Sequence, residues 1–137
     1  MKKVEHIGIA VKDLEKANNL YEQLLGVAPY KQEEVKSEHV ITSFFQVGET
    51  KIELLKATSD KSAIYKHIEK RGEGMHHIAF EVEDIYAEME RLRKQGFRIL
   101  SEKPKHGADN KLVCFIHPKS ANSVLIELCQ SIREREK

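Results

Sequence analysis

From Lys3 to Val11 the chain alternates, Ile7, Ile9 and Val11 falling on one side and Val4, His6, Gly8 and Ala10 on the other, which predicts a strand. Asp13 then stands where a helix cap belongs, ahead of Leu14, Ala17, Leu20, Tyr21, Leu24 and Leu25 at helical spacing, and Gly26 marks the stop. Three further strands are expected over Ala28–Val35, Val40–Val47 and Lys51–Lys56, the last two joined by a tight turn at Gly48-Glu49. Residues 58–71 read as a linker and short helix, with Ser59 or Asp60 as its cap, Ile64, Tyr65 and Ile68 as its inner face, and Gly72 and Gly74 as its exit.

The same programme then runs again. A strand over Met75–Val82 leads into a helix over Asp84–Gln95 with Ile85, Met89 and Leu92 inward and Gly96 as its terminator. Strands are expected near Phe97–Ser101, over Lys111–His117 and over Ser123–Gln130. The repetition is literal: His77, Ile78, Val82 and Asp84 follow His6, Ile7, Val11 and Asp13 at a constant offset of 71 residues, and Ile126-Glu127-Leu128 follows Ile52-Glu53-Leu54 at 74. An internal repeat fixes architecture before any single residue does. It predicts an α+β fold of two tandem βαβββ modules, module one over 1–57, a linker helix over 58–73 and module two over 74–137, together one domain of 137 residues.

Composition narrows the functional classes. The 23 basic and 22 acidic residues nearly cancel, with no block of charge before the Arg-Glu-Arg-Glu-Lys tail, so no nucleic-acid surface is expected. The sequence has neither an apolar leader nor an 18-residue apolar span, and its two cysteines, Cys114 and Cys129, sit far apart in apolar runs. A cytoplasmic protein with reduced thiols and no membrane partner is the expectation.

The repeat also copies chemistry. His6 and His77 occupy equivalent strand positions, and Gly8 and Ala10 on the face of His6 leave room in front of the sheet. Glu53 and Glu127 interrupt otherwise apolar Ile-Glu-Leu strands, where a carboxylate is costly to bury unless paired or coordinated. Singly, each is more simply an ordinary histidine or a solvated strand face. As a matched quartet they offer neutral imidazole and anionic oxygen, the donors that suit one borderline divalent ion such as Zn, Ni, Co or Mn. His76 points to the opposite face, His39, His67 and His106 lie in polar contexts, and His117 opens the turn His117-Pro118-Lys119-Ser120, where capping and substrate contact are alternative roles.

Paired βαβββ modules with His on the first strand and Glu on the fourth resemble the vicinal-oxygen-chelate superfamily, which includes the glyoxalases and bleomycin-resistance proteins. Within it, Gly74–Val82, Lys103–Ala108 and His117–Ser120 followed by Val124–Leu128 are similar to the methylmalonyl-CoA epimerase family. The resemblance implies a cupped, mostly antiparallel eight-stranded sheet, a homodimer, and a metal that holds the oxygens of an acyl-CoA thioester while its α-proton is moved. It implies metal ligation at the positions of His6, Glu53, His77 and Glu127, catalysis by Glu127, and substrate contacts from Lys105, Lys119, His117 and Ser120; the repeat alone offers Glu53 as the second base. Two departures stand out: Glu53 replaces a family glutamine, and a family strand carboxylate falls at Thr42. Two His and two Glu also match bacterial glyoxalase I, so a glutathione-hemithioacetal isomerase stays open, as does a non-catalytic ligand-binding module.

Overall fold

A computed structural model describes residues 1–132; the charged tail, residues 133–137, lies outside the described residues. The chain divides into two compact units, one spanning His6–His76 and the other running from His77 onward and taking in Met1–Glu5.

The first unit holds β1 (Lys3–Ala10, from His6 on), α1 (Leu14–Leu25), β2 (Lys31–Val35), β3 (Val40–Val47), β4 (Thr50–Ala57) and α2 (Ala63–Arg71). Its strands lie in the order β2-β3-β4-β1, with β1 parallel to β4 and the other neighbours antiparallel. Asp13 caps α1 by accepting from the Lys16 N–H at 3.0 Å, and Gly26, at φ 74°, turns the chain out of the helix while its N–H donates to the Glu22 carbonyl. Val11, Leu14 and Ala17 bury against Phe45 and Leu54 beneath α1. Leu20 and Leu24, expected inward, are 59% and 70% exposed, so the buried stripe of α1 is narrower than its apolar content. Ser62, rather than Ser59 or Asp60, caps α2, and Tyr65 faces outward while Ile64 and Ile68 pack on Ala10, Val40 and Leu55.

The second unit repeats the order with β5 (Gly74–Glu81, from His77 on), α3 (Ile85–Lys94), β6 (Lys105–Gly107), β7 (Lys111–Ile116) and β8 (Ile126–Ser131), arranged β5-β8-β7-β6 with β5 parallel to β8. Asp84 caps α3, which buries Ile85, Met89 and Leu92 against Val82, Cys114, Ile116 and Leu128. The strand expected over Phe97–Ser101 is not formed. Only an isolated bridge joins Ile99 to Ile116, and the edge place beside β7 is taken by Lys105–Gly107 after Pro104. Phe97 and Ile99 pack instead on the core under α3, and the Arg93 guanidinium takes the Ser101 and Glu102 carbonyls that a ladder would have used. Among the described residues no helix is long and apolar enough to cross a membrane.

Candidate active site

Strand alternation decides which side chains can meet. In the first unit Ile52 and Leu54 face α1, and Glu53 and Leu55 face the other way. The register puts Phe44 directly across from Glu53 and Thr42 across from Leu55, while Gly8 and Ala10 of β1 lie beside the same two β4 positions. On this inner face His6 Nδ1 lies 3.2 Å from Glu53 Oε2, with both residues 5% exposed. The second unit repeats it: His77 Nε2 lies 3.2 Å from Glu127 Oε1, with both residues 6% exposed. Two donors bound to one ion at about 2.0–2.2 Å sit roughly 3.0–3.5 Å apart, so each pair has the spacing and donor chemistry of metal ligands. A ring N–H donating to the carboxylate would sit at this distance too, and either arrangement accounts for burying a carboxylate in an apolar strand.

Behind each pair stands a phenylalanine. Phe115 is directly across from Glu127 and meets the His77 ring edge-on, with centroids 6.1 Å apart. The Lys105 ammonium lies 6.0 Å from the Phe115 centroid, so Lys105 is on the face that carries His77 and Glu127. Lys119, His117 and Ser120 gather in the 3₁₀ turn after β7. There His117 Nδ1 accepts from the Lys119 N–H at 3.0 Å and Ser120 Oγ accepts from the Arg98 N–H at 3.0 Å. His117 and Ser120 therefore shape the turn, and Nδ1 as acceptor leaves the neutral ring's proton on Nε2.

Two cationic positions escaped the sequence reading. Lys31 Nζ sits 4.7 Å from the Phe44 centroid and 3.4 Å from Glu33 Oε1. Lys111 Nζ lies 2.8 Å from Ser131 Oγ and 3.7 Å from Glu5 Oε2, in a buried cluster where Glu5 is 2% exposed. The signal for Glu5 was present: alternation places it on the side of Ile7 and Ile9, a poor position for a solvated carboxylate. His67, in a polar stretch of sequence, is half-buried with its ring edge-on to His76 at 5.0 Å, and burial with nearby Arg71 holds its imidazole below its ordinary pKa. The thiols are inert. Burial and the Glu127 carboxylate push Cys114 up to about 11 and Cys129 higher still, so neither offers a thiolate at neutral pH.

Residues 5–115 match the Glyoxalase/Bleomycin resistance protein/Dioxygenase superfamily, and the chain belongs to that superfamily, the vicinal-oxygen-chelate fold. Its relatives narrow the class to epimerase-like isomerases. It is 42% identical to the ethylmalonyl-CoA/methylmalonyl-CoA epimerase of Cereibacter sphaeroides, across 93% of this chain and 97% of that protein. It is 40% identical to the human mitochondrial methylmalonyl-CoA epimerase, across 94% of this chain and 74% of that one, and 38% identical to an uncharacterized Bacillus subtilis protein across 95% and 93%. Among solved structures, a methylmalonyl-CoA epimerase in complex with methylmalonyl-CoA and NH4+ superposes with a TM-score of 0.91 at 32% identity, covering 96% of this chain and 95% of that one.

Proposed function

We propose that this chain epimerises methylmalonyl-CoA by moving the α-proton of the acyl group from one face of the carbon to the other. The observation that carries the reading is the doubled pair: each half sets one buried glutamate against one buried histidine at 3.2 Å. A hydrogen α to a thioester is weakly acidic, and a positioned carboxylate that accepts it contributes roughly 10²–10⁴-fold. Inversion needs a proton carrier on each face of the planar carbon, and the duplication provides one from each half. Glu127 takes the role of the principal base and ends protonated, and Glu53, starting in its own protonated form, gives its proton to the opposite face of the carbon. One C–H bond breaks and one forms, so no oxidant or co-substrate enters.

One divalent ion per chain is proposed, with His6, Glu53, His77 and Glu127 as its ligands on the strength of their repeated positions and donor chemistry. Such an ion, when bound, supplies Lewis-acid polarisation of the substrate oxygens. The histidines orient the paired carboxylates, each at 3.2 Å from its own half's glutamate. Lys105 and Lys119 are proposed to meet anionic groups of the substrate. The family resemblance supports a homodimer, which sedimentation at twice the chain mass would bear out.

The test uses the purified protein in deuterated water with one epimer of methylmalonyl-CoA, and separately with the methylglyoxal–glutathione hemithioacetal. Epimerisation with solvent deuterium in the product and little in recovered substrate is the expected result. Turnover of the hemithioacetal alone would overturn it in favour of a glyoxalase.

A further inference from the structure

The repeat extends past the histidines and glutamates. Phe44 and Phe115 are 71 residues apart, like His6 and His77; Lys31 and Lys105 are 74 apart, like Glu53 and Glu127. Each phenylalanine lies directly across the ladder from its half's glutamate, and each lysine carries its ammonium over that ring, at 4.7 Å for Lys31 and 6.0 Å for Lys105. Both halves thus set a lysine, a phenylalanine, a glutamate and a histidine on one face, although Lys31 is directly across from Phe44 while Lys105 is across from Val113, two residues from Phe115.

We propose that Lys31 is a substrate-binding and specificity residue that receives the free carboxylate of a dicarboxylic acyl thioester. This rests on the reading of the site as an acyl-thioester epimerase. Lys31, Phe44 and Glu53 lie in register on three adjacent strands, so the Lys31 backbone is about 10 Å from that of Glu53 and its long side chain shortens the gap. A carboxylate attached to the reacting carbon falls within that distance of a base acting on the same carbon, whereas the phosphates of CoA are a full pantetheine arm away. Lys31 is ion-paired with Glu33, but both side chains are about a third exposed, at 36% and 35%, and such a pair is weak enough for an incoming carboxylate to exchange with Glu33. The ring of Phe44 holds the ammonium over the inner face without neutralising it.

The experiment compares the wild type with Lys31→Met, which keeps an unbranched stem over Phe44 and removes the charge. Three thioesters are used: methylmalonyl-CoA, propionyl-CoA followed by α-deuterium exchange, and the methylmalonyl thioester of N-acetylcysteamine, which lacks all phosphates. Calorimetric binding of methylmalonyl-CoA accompanies the kinetics. Loss of one charge-assisted hydrogen bond predicts that KM and Kd for both methylmalonyl thioesters rise about 10- to 100-fold, with kcat changed far less and selectivity over propionyl-CoA falling by the same factor. Lys31→Arg should recover part of the loss. Unchanged selectivity would overturn the proposal, and so would a penalty seen with methylmalonyl-CoA but absent for the N-acetylcysteamine thioester, which would assign Lys31 to the phosphates. If the wild type binds methylmalonyl-CoA in a Lys31-dependent way but turns over neither methylmalonyl thioester, the recognition stands and the epimerase reading fails; if it neither binds nor turns them over, both fail.

Discussion

The two halves solve the same packing problem with different finish. The second buries its helix α3 through Ile85, Met89 and Leu92 and dresses the outer side with ion pairs, Glu88 with Arg91 and Glu90 with Lys94. The first leaves Leu20 and Leu24 of α1 facing outward, yet has the longer hairpin, with β3 and β4 paired from Val40 and Ala57 to Val47 and Thr50. Despite this drift, His–Glu separations are 3.2 Å in both halves. What differs at the site is the ring nitrogen presented, Nδ1 in His6 and Nε2 in His77, and the closer seat of the lysine in the first half. The invariant part of a duplicated fold is thus the part that has to match chemically, and the helices were free to diverge.

The largest effect expected from breaking this equivalence is catalytic. Glu127→Gln retains an oxygen donor but removes the proton acceptor, and kcat should fall by roughly 10²–10⁴. Glu53→Gln should cost less, because its assignment as a base follows only from its equivalent position. Epimerisation rates with metal content measured in parallel separate proton transfer from ligation. Full activity in metal-replete Glu127→Gln would remove it from the chemistry. His77→Ala and His6→Ala should each lower the ion content of the purified protein, and wild-type affinity in either variant would break the four-ligand set.

The sequence shows the site more clearly than it shows the fold's edges, for physical reasons. A constant offset survives only where strands must keep register, so His6, Glu53, His77 and Glu127 were legible as equivalents. Caps were legible where Asp13 and Asp84 accept from the next helical turn. Phe97–Ser101 misled because its alternation reflects packing of Phe97 and Ile99 under α3, with one bridge at Ile99 and no full strand bonding it to β7. Leu20 and Leu24 misled because apolar character at helical spacing does not say how wide the covered stripe is. Lys31 was illegible because only the β2–β3 register reveals that it stands across from Phe44.

Leu54 and Leu128 occupy equivalent β positions and are both fully buried, under α1 and α3 respectively. Truncation of either to Ala should cost about 2–5 kcal/mol in chemical denaturation. The Leu128 variant is expected at the upper end, since its neighbours Ile85, Met89, Leu92 and Ile116 form the larger apolar cluster. A cost below about 1 kcal/mol for either would show that its half rearranges to fill the space. A smaller difference appears at alkaline pH. Cys114 titrates near 9 when unfolded and near 11 when folded, so between those values the native state keeps a proton that the unfolded chain has lost. Stability should fall as pH rises through that window, by roughly 1–2 kcal/mol from this thiol. Cys114→Ala should flatten the denaturation midpoint's decline relative to wild type; an identical decline would mean that the thiol titrates normally.

The smallest effect comes from the position in the first half that corresponds to Cys114. Ser43 stands across from Leu54 as Cys114 stands across from Leu128, so the two rungs differ by one side chain. Ser43 is fully buried and its Oγ has no hydrogen-bond partner among the described residues, a desolvated hydroxyl that typically costs about 1–3 kcal/mol. Its neighbourhood is polar but already committed: Gln32, its partner on β2, accepts from the Asn18 Nδ2–H at 3.1 Å. Ser43→Ala removes the hydroxyl and leaves only a small space, so it should stabilise the protein by about 1 kcal/mol. Ser43→Cys imports the residue of the other half and should gain less, because sulfur is larger than oxygen in a close-packed rung. Urea midpoints at constant m-value measure both. A destabilised Ser43→Ala protein would mean that the hydroxyl is bonded in solution, and Asn18, whose Oδ1 also lacks a partner, is then the group to examine. In that case the double variant with Asn18→Ala would show a coupling energy well above about 0.5 kcal/mol, whereas independent sites would add.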